Sequence, residues 1–185
     1  MLESLTRLDG NLLIWIQDHL RVSFLTPFFK IYSKLGGLGM IWLLLALILF
    51  LIPRTRQAGL AVGMGVLISI LVNNILLKDL VARTRPYEVV PEIELLIKKA
   101  SDYSFPSGHS ASAFAASAAL IRTSDWKGKW FILIPAFLMA FSRLYLGIHY
   151  PTDVLGGILS GILCGAAGAF AAGKLRGYVL SRKQG

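Results

Sequence analysis

The segment TDVLGGILSGILCGAAGAFAAG, residues 152–173, decides the architecture. From Val154 to Gly173 it carries no charge, and an α-helix needs about 20 apolar residues to cross a bilayer. A small residue recurs at every fourth position, at Gly157, Gly161, Gly165, Ala169 and Gly173. That spacing leaves one helix face without bulk, where a neighbouring backbone can come close. The segment reads as a membrane helix built to pack against another helix.

Working outward, four more segments qualify as candidate spans: about 38–53, 57–79, 129–147 and the short, Ala-rich 108–123. Of the 185 residues 55% are hydrophobic and 16% charged, against about 25% charged in soluble domains. The expectation is an all-α polytopic transmembrane bundle of about five spans, forming a single domain over residues 1–185. Residues 1–37 differ. Asp18, His19, Arg21, Pro27, Lys30 and Lys34 interrupt them, and that many charges are costly inside lipid. An interfacial helix or helix pair fits better, with Leu5, Leu8, Leu12, Trp15 and Ile16 as its apolar stripe. A further amphipathic helix is expected at PEIELLIKKA, residues 91–100, with Pro and acids early and lysines late. The first residues lack the pattern of a cleavable secretory leader. The lone Cys164 lies in an apolar run and reads as packing. The net charge of +9 suits basic loops against anionic headgroups. No basic stripe on a soluble face supports nucleic acid as a partner.

Consecutive spans alternate in direction, so span ends can be assigned to faces. Lys78 and Arg85 follow the second span, and His109 opens the third. Arg143 ends the fourth, and His149 and Asp153 precede the fifth. All six fall on one face, and ionisable groups at membrane depth are usually functional. Three cations suit a doubly charged oxyanion, with phosphate the obvious candidate. Ser107 and Gly108 open the third helix, whose free N–H groups favour an anion. His149 and Asp153 are four apart, so the carboxylate can take a proton from one imidazole nitrogen while the other attacks substrate. His109 can then protonate the leaving oxygen.

KDLVARTRP (78–86), PSGH (106–109) and SRLYLGIHYPTD (142–153) resemble the three signature motifs of the type 2 phosphatidic acid phosphatase (PAP2) superfamily, K-x6-RP, PSGH and SR-x5-H-x3-D. Every signature position is matched, and the bacterial membrane lipid phosphatases are the similar branch. The resemblance implies that His149 is the nucleophile of a phosphohistidine intermediate, Asp153 its orienting carboxylate and His109 the acid. It implies that Lys78, Arg85 and Arg143 bind phosphate, with Ser107 and Gly108 completing the pocket. It implies no metal and no cofactor. The expected activity is hydrolysis of a terminal phosphate from a membrane lipid, of the undecaprenyl diphosphate, phosphatidylglycerol phosphate or phosphatidic acid type. The alternative is a non-hydrolytic protein that binds or transports lipid phosphates. Haloperoxidase chemistry, the third option, belongs to soluble chains.

Other residues have plainer readings. Arg83 is a snorkelling cation, His19 an interfacial side chain, and Asn73 and Asn74 bond between helices. Trp126 and Trp130 anchor at the interface. The connections PRTRQ and RTSDWKGK and the tail KLRGYVLSRKQG are basic and lie opposite the site. The positive-inside rule puts them in the cytoplasm and the site outside.

Overall fold

Gly157, Gly161 and Gly165 lie one turn apart on the last helix, α9 (Pro151–Ser181). Each meets a backbone carbonyl of α7 (Gly108–Thr123) or of the residue that caps it. In the computed structural model, which describes residues 2–182, a Cβ at Gly157 would lie 2.5 Å from the Ser107 oxygen. One at Gly161 would lie 2.3 Å from the Ala111 oxygen, and one at Gly165 2.3 Å from the Ala115 oxygen. No side chain fits at such distances, so the stripe sets the register of the two helices turn by turn. The stripe is shorter than its sequence pattern, because a Cβ at Gly173 would meet nothing. Gly168 extends the close packing toward α4 (Arg56–Ser69) instead, with its Cβ position 2.3 Å from the Gly65 nitrogen.

The core between α4, α7 and α9 is correspondingly small-grained: Ala61, Val62, Val66, Ala113, Ala116 and Ala119 are all buried. Large apolar side chains point the other way. Leu67, Leu71, Leu159, Leu163, Phe137 and Phe170 are each more than half exposed. In water such a surface would drive association, and in a bilayer it is the lipid-facing side.

α3 (Met40–Leu51) packs on α4, and α8 (Leu133–Tyr145) on α7. The α4 helix continues through a π-helical stretch, Ile70–Leu77, into the short α5 (Lys78–Val81), and α6 (Pro86–Val89) follows. Two stretches, Arg56–Val89 and Pro151–Ser181, are long and apolar enough to cross a membrane. Thr26–Leu35 with Gly37–Leu51, bent by 52°, makes a third if counted as one span. α7 and α8 have 16 and 13 residues, short of a crossing helix by themselves. By length and composition alone, two stretches of the described residues, or three with the bent pair, qualify as spans, fewer than the five expected.

The N-terminal part forms α1 (Leu2–Leu20) and α2 (Thr26–Leu35), the expected helix pair. Leu8, Leu12 and Trp15 are exposed on one side of α1, while Leu13 and Ile16 are buried against the bundle; the side chain of Leu5 lies outside the described residues. Residues 91–100 are not the helix that their pattern suggests. Gln17 Nε2 donates to the Glu92 oxygen at 3.0 Å and Arg21 Nη2 to the Glu94 oxygen at 2.8 Å. The Glu94 N–H donates to Gln17 Oε1 at 2.9 Å, and the Leu96 N–H to the Leu146 oxygen at 3.2 Å. These tertiary bonds outweigh the local pattern, since so short a helix is marginal on its own. The apolar residues still find burial, Ile93 within the core and Leu96 and Ile97 against Phe29, Tyr145 and Leu146.

Candidate active site

α7 begins where the chain ends its passage from α6, and Ser107 caps it. The Ser107 Oγ accepts from the Ser110 N–H at 3.4 Å and from the Ser110 hydroxyl at 3.0 Å. This cap holds the Ser107 side chain on the helix, so it does not line the cavity in front. Gly108 does, for a steric reason. Its absent Cβ would lie 2.2 Å from Asn74 Oδ1, so a larger residue would push the Asn74 side chain away from the start of α7.

Lys78, Arg85, Gly108, His109, Arg143 and His149 line one cavity of about 150 Å³. Both histidines and all three cations named from the sequence are thus brought together. Lys78, Arg85, Arg143 and His149 are each at most 5% exposed. The positive charge in this space is partly offset by a residue that the motifs do not include, Asp102. Its carboxylate pairs with Lys78 Nζ and accepts from Arg85 Nη2 at 2.5 Å. Arg85 Nε also donates to the Asp102 backbone oxygen at 3.0 Å. Burial alone would raise the Asp102 carboxyl, but Lys78 and Arg85 together hold it below the usual carboxylate range.

Arg85 reaches His149 as well. Its Nη1 lies 2.9 Å from the Ile148 oxygen and 3.2 Å from His149 Nε2. A guanidinium only donates, so Nε2 accepts and the ring proton sits on Nδ1. That proton faces Asp153, with Nδ1 and Oδ2 3.6 Å apart. The separation exceeds a hydrogen bond, and Nδ1 has no other partner. His149 stands in the connection between α8 and α9. Burial first, then the charges of Arg85, Arg143 and Lys78, push its pKa well below the usual histidine value. The imidazole is therefore neutral, the form that carries a nucleophilic lone pair.

Asp153 is fully buried and does not line the cavity. Its Oδ2 accepts from the Ser104 hydroxyl at 2.5 Å and from the Tyr150 N–H at 2.9 Å, and its Oδ1 from Arg83 Nη1 at 2.6 Å. Arg83 is thus no snorkelling side chain. It also donates to Thr152 Oγ1 at 2.7 Å and to Asp9 Oδ2 at 2.7 Å, and it lies over the Tyr150 ring at 4.1 Å. Asp9, on α1, accepts in turn from the Thr152 N–H at 3.2 Å, at the start of α9. On the other side of the cavity, Ser33 of α2 accepts at its backbone oxygen 3.1 Å from His109 Nε2, and its hydroxyl accepts from Arg143 Nη1.

Sequence reasoning missed Asp102, Ser104, Ser33, Asn74's contact and the Asp9–Arg83 pair. One available signal was Asp9 itself, a carboxylate on the buried side of an otherwise apolar stripe. Asn73, by contrast, bonds within its own helix, to the Ser69 oxygen at 2.9 Å.

Among the described residues no group of three His, Cys, Asp or Glu side chains is placed to hold a metal ion. The model of the PAP2 superfamily matches residues 58–174. An undecaprenyl-diphosphatase of Sulfolobus acidocaldarius is 34% identical over 126 residues, 68% of this chain and 60% of that protein's length. The crystal structure of Aquifex aeolicus LpxE superposes with a TM-score of 0.68 at 28% identity, covering 85% of this chain and 92% of that one. A transmembrane PAP2-type phosphatidylglycerolphosphate phosphatase from Bacillus subtilis gives a TM-score of 0.69 at 26% identity, over 96% and 87%.

Proposed function

The chain belongs to the PAP2 superfamily, and we propose that it is an integral membrane phosphatase that removes a terminal phosphate from a lipid phosphate or diphosphate. The observation that carries this reading is the convergence of His109, His149 and three cations on one small cavity. Binding alone needs only the cations, so the two histidines argue for turnover. Support also comes from the named relatives, whose substrates are undecaprenyl diphosphate and phosphatidylglycerol phosphate.

In this reading the terminal phosphate displaces Asp102 from Lys78 and Arg85 and gains Arg143 as a third cation. The α7 N-terminus, with Gly108 at its first turn, adds its N–H groups. His149 Nε2 attacks phosphorus while its Nδ1–H turns to Asp153, which helps to stabilise the cation that forms. His109, entering protonated with its Nε2 on the Ser33 oxygen, gives its other ring proton to an alcohol leaving oxygen or shares it with a phosphate one, and regains a proton from the attacking water. Water then cleaves the phosphohistidine and releases inorganic phosphate. Charge neutralisation falls to Lys and Arg, so the reaction as drawn needs no metal or cofactor.

In the proposed bundle five segments cross the membrane, around α3, α4, α7, α8 and α9, the short α7 and α8 doing so only together with the residues that flank them, such as Lys127–Ile132 before α8; the N-terminal helices lie against the membrane surface. The basic connections and C-terminal tail lie on the cytoplasmic side and the site on the other. The test is phosphate release from a panel of lipid monophosphates and diphosphates by the purified protein in detergent. Release from at least one supports the reading; tight binding of all with release from none would favour a binding or transport protein.

A further inference from the structure

The cavity that holds His149 does not end at His109. A second cleft of about 420 Å³ opens beyond it, and His109 and Arg143 line both spaces. The second cleft is basic. Lys30 and Lys34 stand one turn apart on α2, and Lys98 joins them from the irregular segment before α7. Among the described residues no Asp or Glu lines it. The lysines are exposed, so their role need not be structural. Arg143, at the border, is 4% exposed, and its Nε is buried without a hydrogen-bond partner. Like charges drawn together from separate segments repel unless an anion offsets them. The unpartnered guanidinium N–H is a donor awaiting one.

The position of this cleft matters for chemistry. In the reaction proposed above, the leaving oxygen departs on the side of His109, opposite the attacking nitrogen. The cleft begins at that histidine. We propose that Lys30, Lys34 and Lys98 form a leaving-group subsite that holds the inner phosphate of a lipid diphosphate while the terminal phosphate lies among Lys78, Arg85 and Arg143. The proposal rests on the phosphatase reading and assigns it a substrate class.

A bond forms from His149 Nε2 to the terminal phosphorus, and the bond from that phosphorus to the bridging oxygen breaks. The electron pair stays on the bridging oxygen, which leaves as part of a lipid monophosphate. Its charge is met by the lysines and Arg143 rather than by a complete proton transfer from His109. Water then attacks the phosphohistidine, the nitrogen–phosphorus bond breaks, and inorganic phosphate leaves with His149 restored. When the substrate is a lipid monophosphate, the leaving group is the lipid alcohol, which takes its proton from His109 and carries no inner phosphate for the lysines to hold.

The test compares farnesyl diphosphate with farnesyl monophosphate in detergent, using wild type and the triple variant Lys30→Gln/Lys34→Gln/Lys98→Gln. The triple variant should lose about tenfold in kcat/KM on the diphosphate, the sum expected of three partly exposed charge contacts. Its rate on the monophosphate should stay within about threefold of wild type, within the variation of a surface change. Inorganic pyrophosphate should inhibit wild type more strongly than inorganic phosphate, and the variant should lose that preference. Equal loss on both substrates would assign the lysines to general attraction of anionic lipid and overturn the proposal, as would no loss on either. A wild type that releases phosphate from neither substrate fails the phosphatase reading itself, a different result from a wild type that works and a variant that does not discriminate.

Discussion

Arg83 Nη1 lies 2.6 Å from Asp153 Oδ1, and the same guanidinium holds Asp9 of α1 at 2.7 Å. The N-terminal helix is thereby tied to the carboxylate that faces His149. Asp153 lies too far from His149 Nδ1 for a hydrogen bond, and the strut fixes how far it must move to form one.

Loosening that strut should therefore slow the chemistry more than it weakens binding. Arg83→Gln and Asp9→Asn are expected to lower kcat by roughly a hundredfold, the scale of a small misplacement of a reacting group. KM should stay within about threefold, and Arg83→Lys should recover part of kcat, because it keeps one charged donor. Steady-state kinetics on a lipid phosphate check this. A rise in KM with unchanged kcat would instead make Arg83 a substrate contact.

His149→Ala should abolish turnover, with a loss of roughly 10³-fold or more, while lipid phosphate still binds. Equilibrium binding to the purified variant, beside its rate, separates the two. A variant within tenfold of wild type would remove His149 from the chemistry.

Asp102 pairs with Lys78 and Arg85, so in the proposed reaction it competes with the phosphate for them. Asp102→Asn should tighten inhibition by inorganic phosphate and by vanadate, by about tenfold for one charge contact freed in a partly buried site. Inhibition constants measured at constant ionic strength check this, since screening alters exposed charge effects. Weaker inhibition would mean that Asp102 aligns Lys78 and Arg85 rather than competing for them.

The glycine stripe predicts a contrast within one helix. Gly161→Ala places a methyl group 2.3 Å from the Ala111 oxygen and must push α7 and α9 apart. It should cost about 1–3 kcal/mol, the range for overpacked cores. Gly173→Ala meets nothing within 4 Å and should be neutral or stabilising by a few tenths of a kcal/mol, as helix propensity favours alanine. Thermal unfolding in detergent distinguishes them.

In the proposed reaction Lys78, Arg85 and Arg143 supply the positive charge, so excess chelator should leave the rate unchanged. A rate that collapses in chelator and returns with Mg²⁺ contradicts this.

What could be read from the sequence divides along physical lines. The glycines at 157, 161 and 165 and the motif residues were legible because helix periodicity and fixed spacing carry them. The tail of the stripe was not, because Gly173 continues the spacing past the point where a neighbour exists. Residues 91–100 have a helical pattern, but Gln17, Arg21 and Leu146 take up their backbone groups from far along the chain. Asp102, Ser33 and Ser104 lie where no periodicity applies, and only the folded loops bring them to the cations and to Asp153. Arg83 looked like one more cation near a span end until Asp9 appeared beside it.

The central claim is a covalent phosphohistidine at His149, and the stereochemical course at phosphorus tests it most directly. A substrate made chiral at its terminal phosphorus with sulfur and oxygen isotopes is hydrolysed in labelled water, and the configuration of the released thiophosphate is read. Attack by His149 followed by attack by water is two in-line displacements, so the account predicts retention of configuration. Inversion would show a single direct attack by water and contradict it.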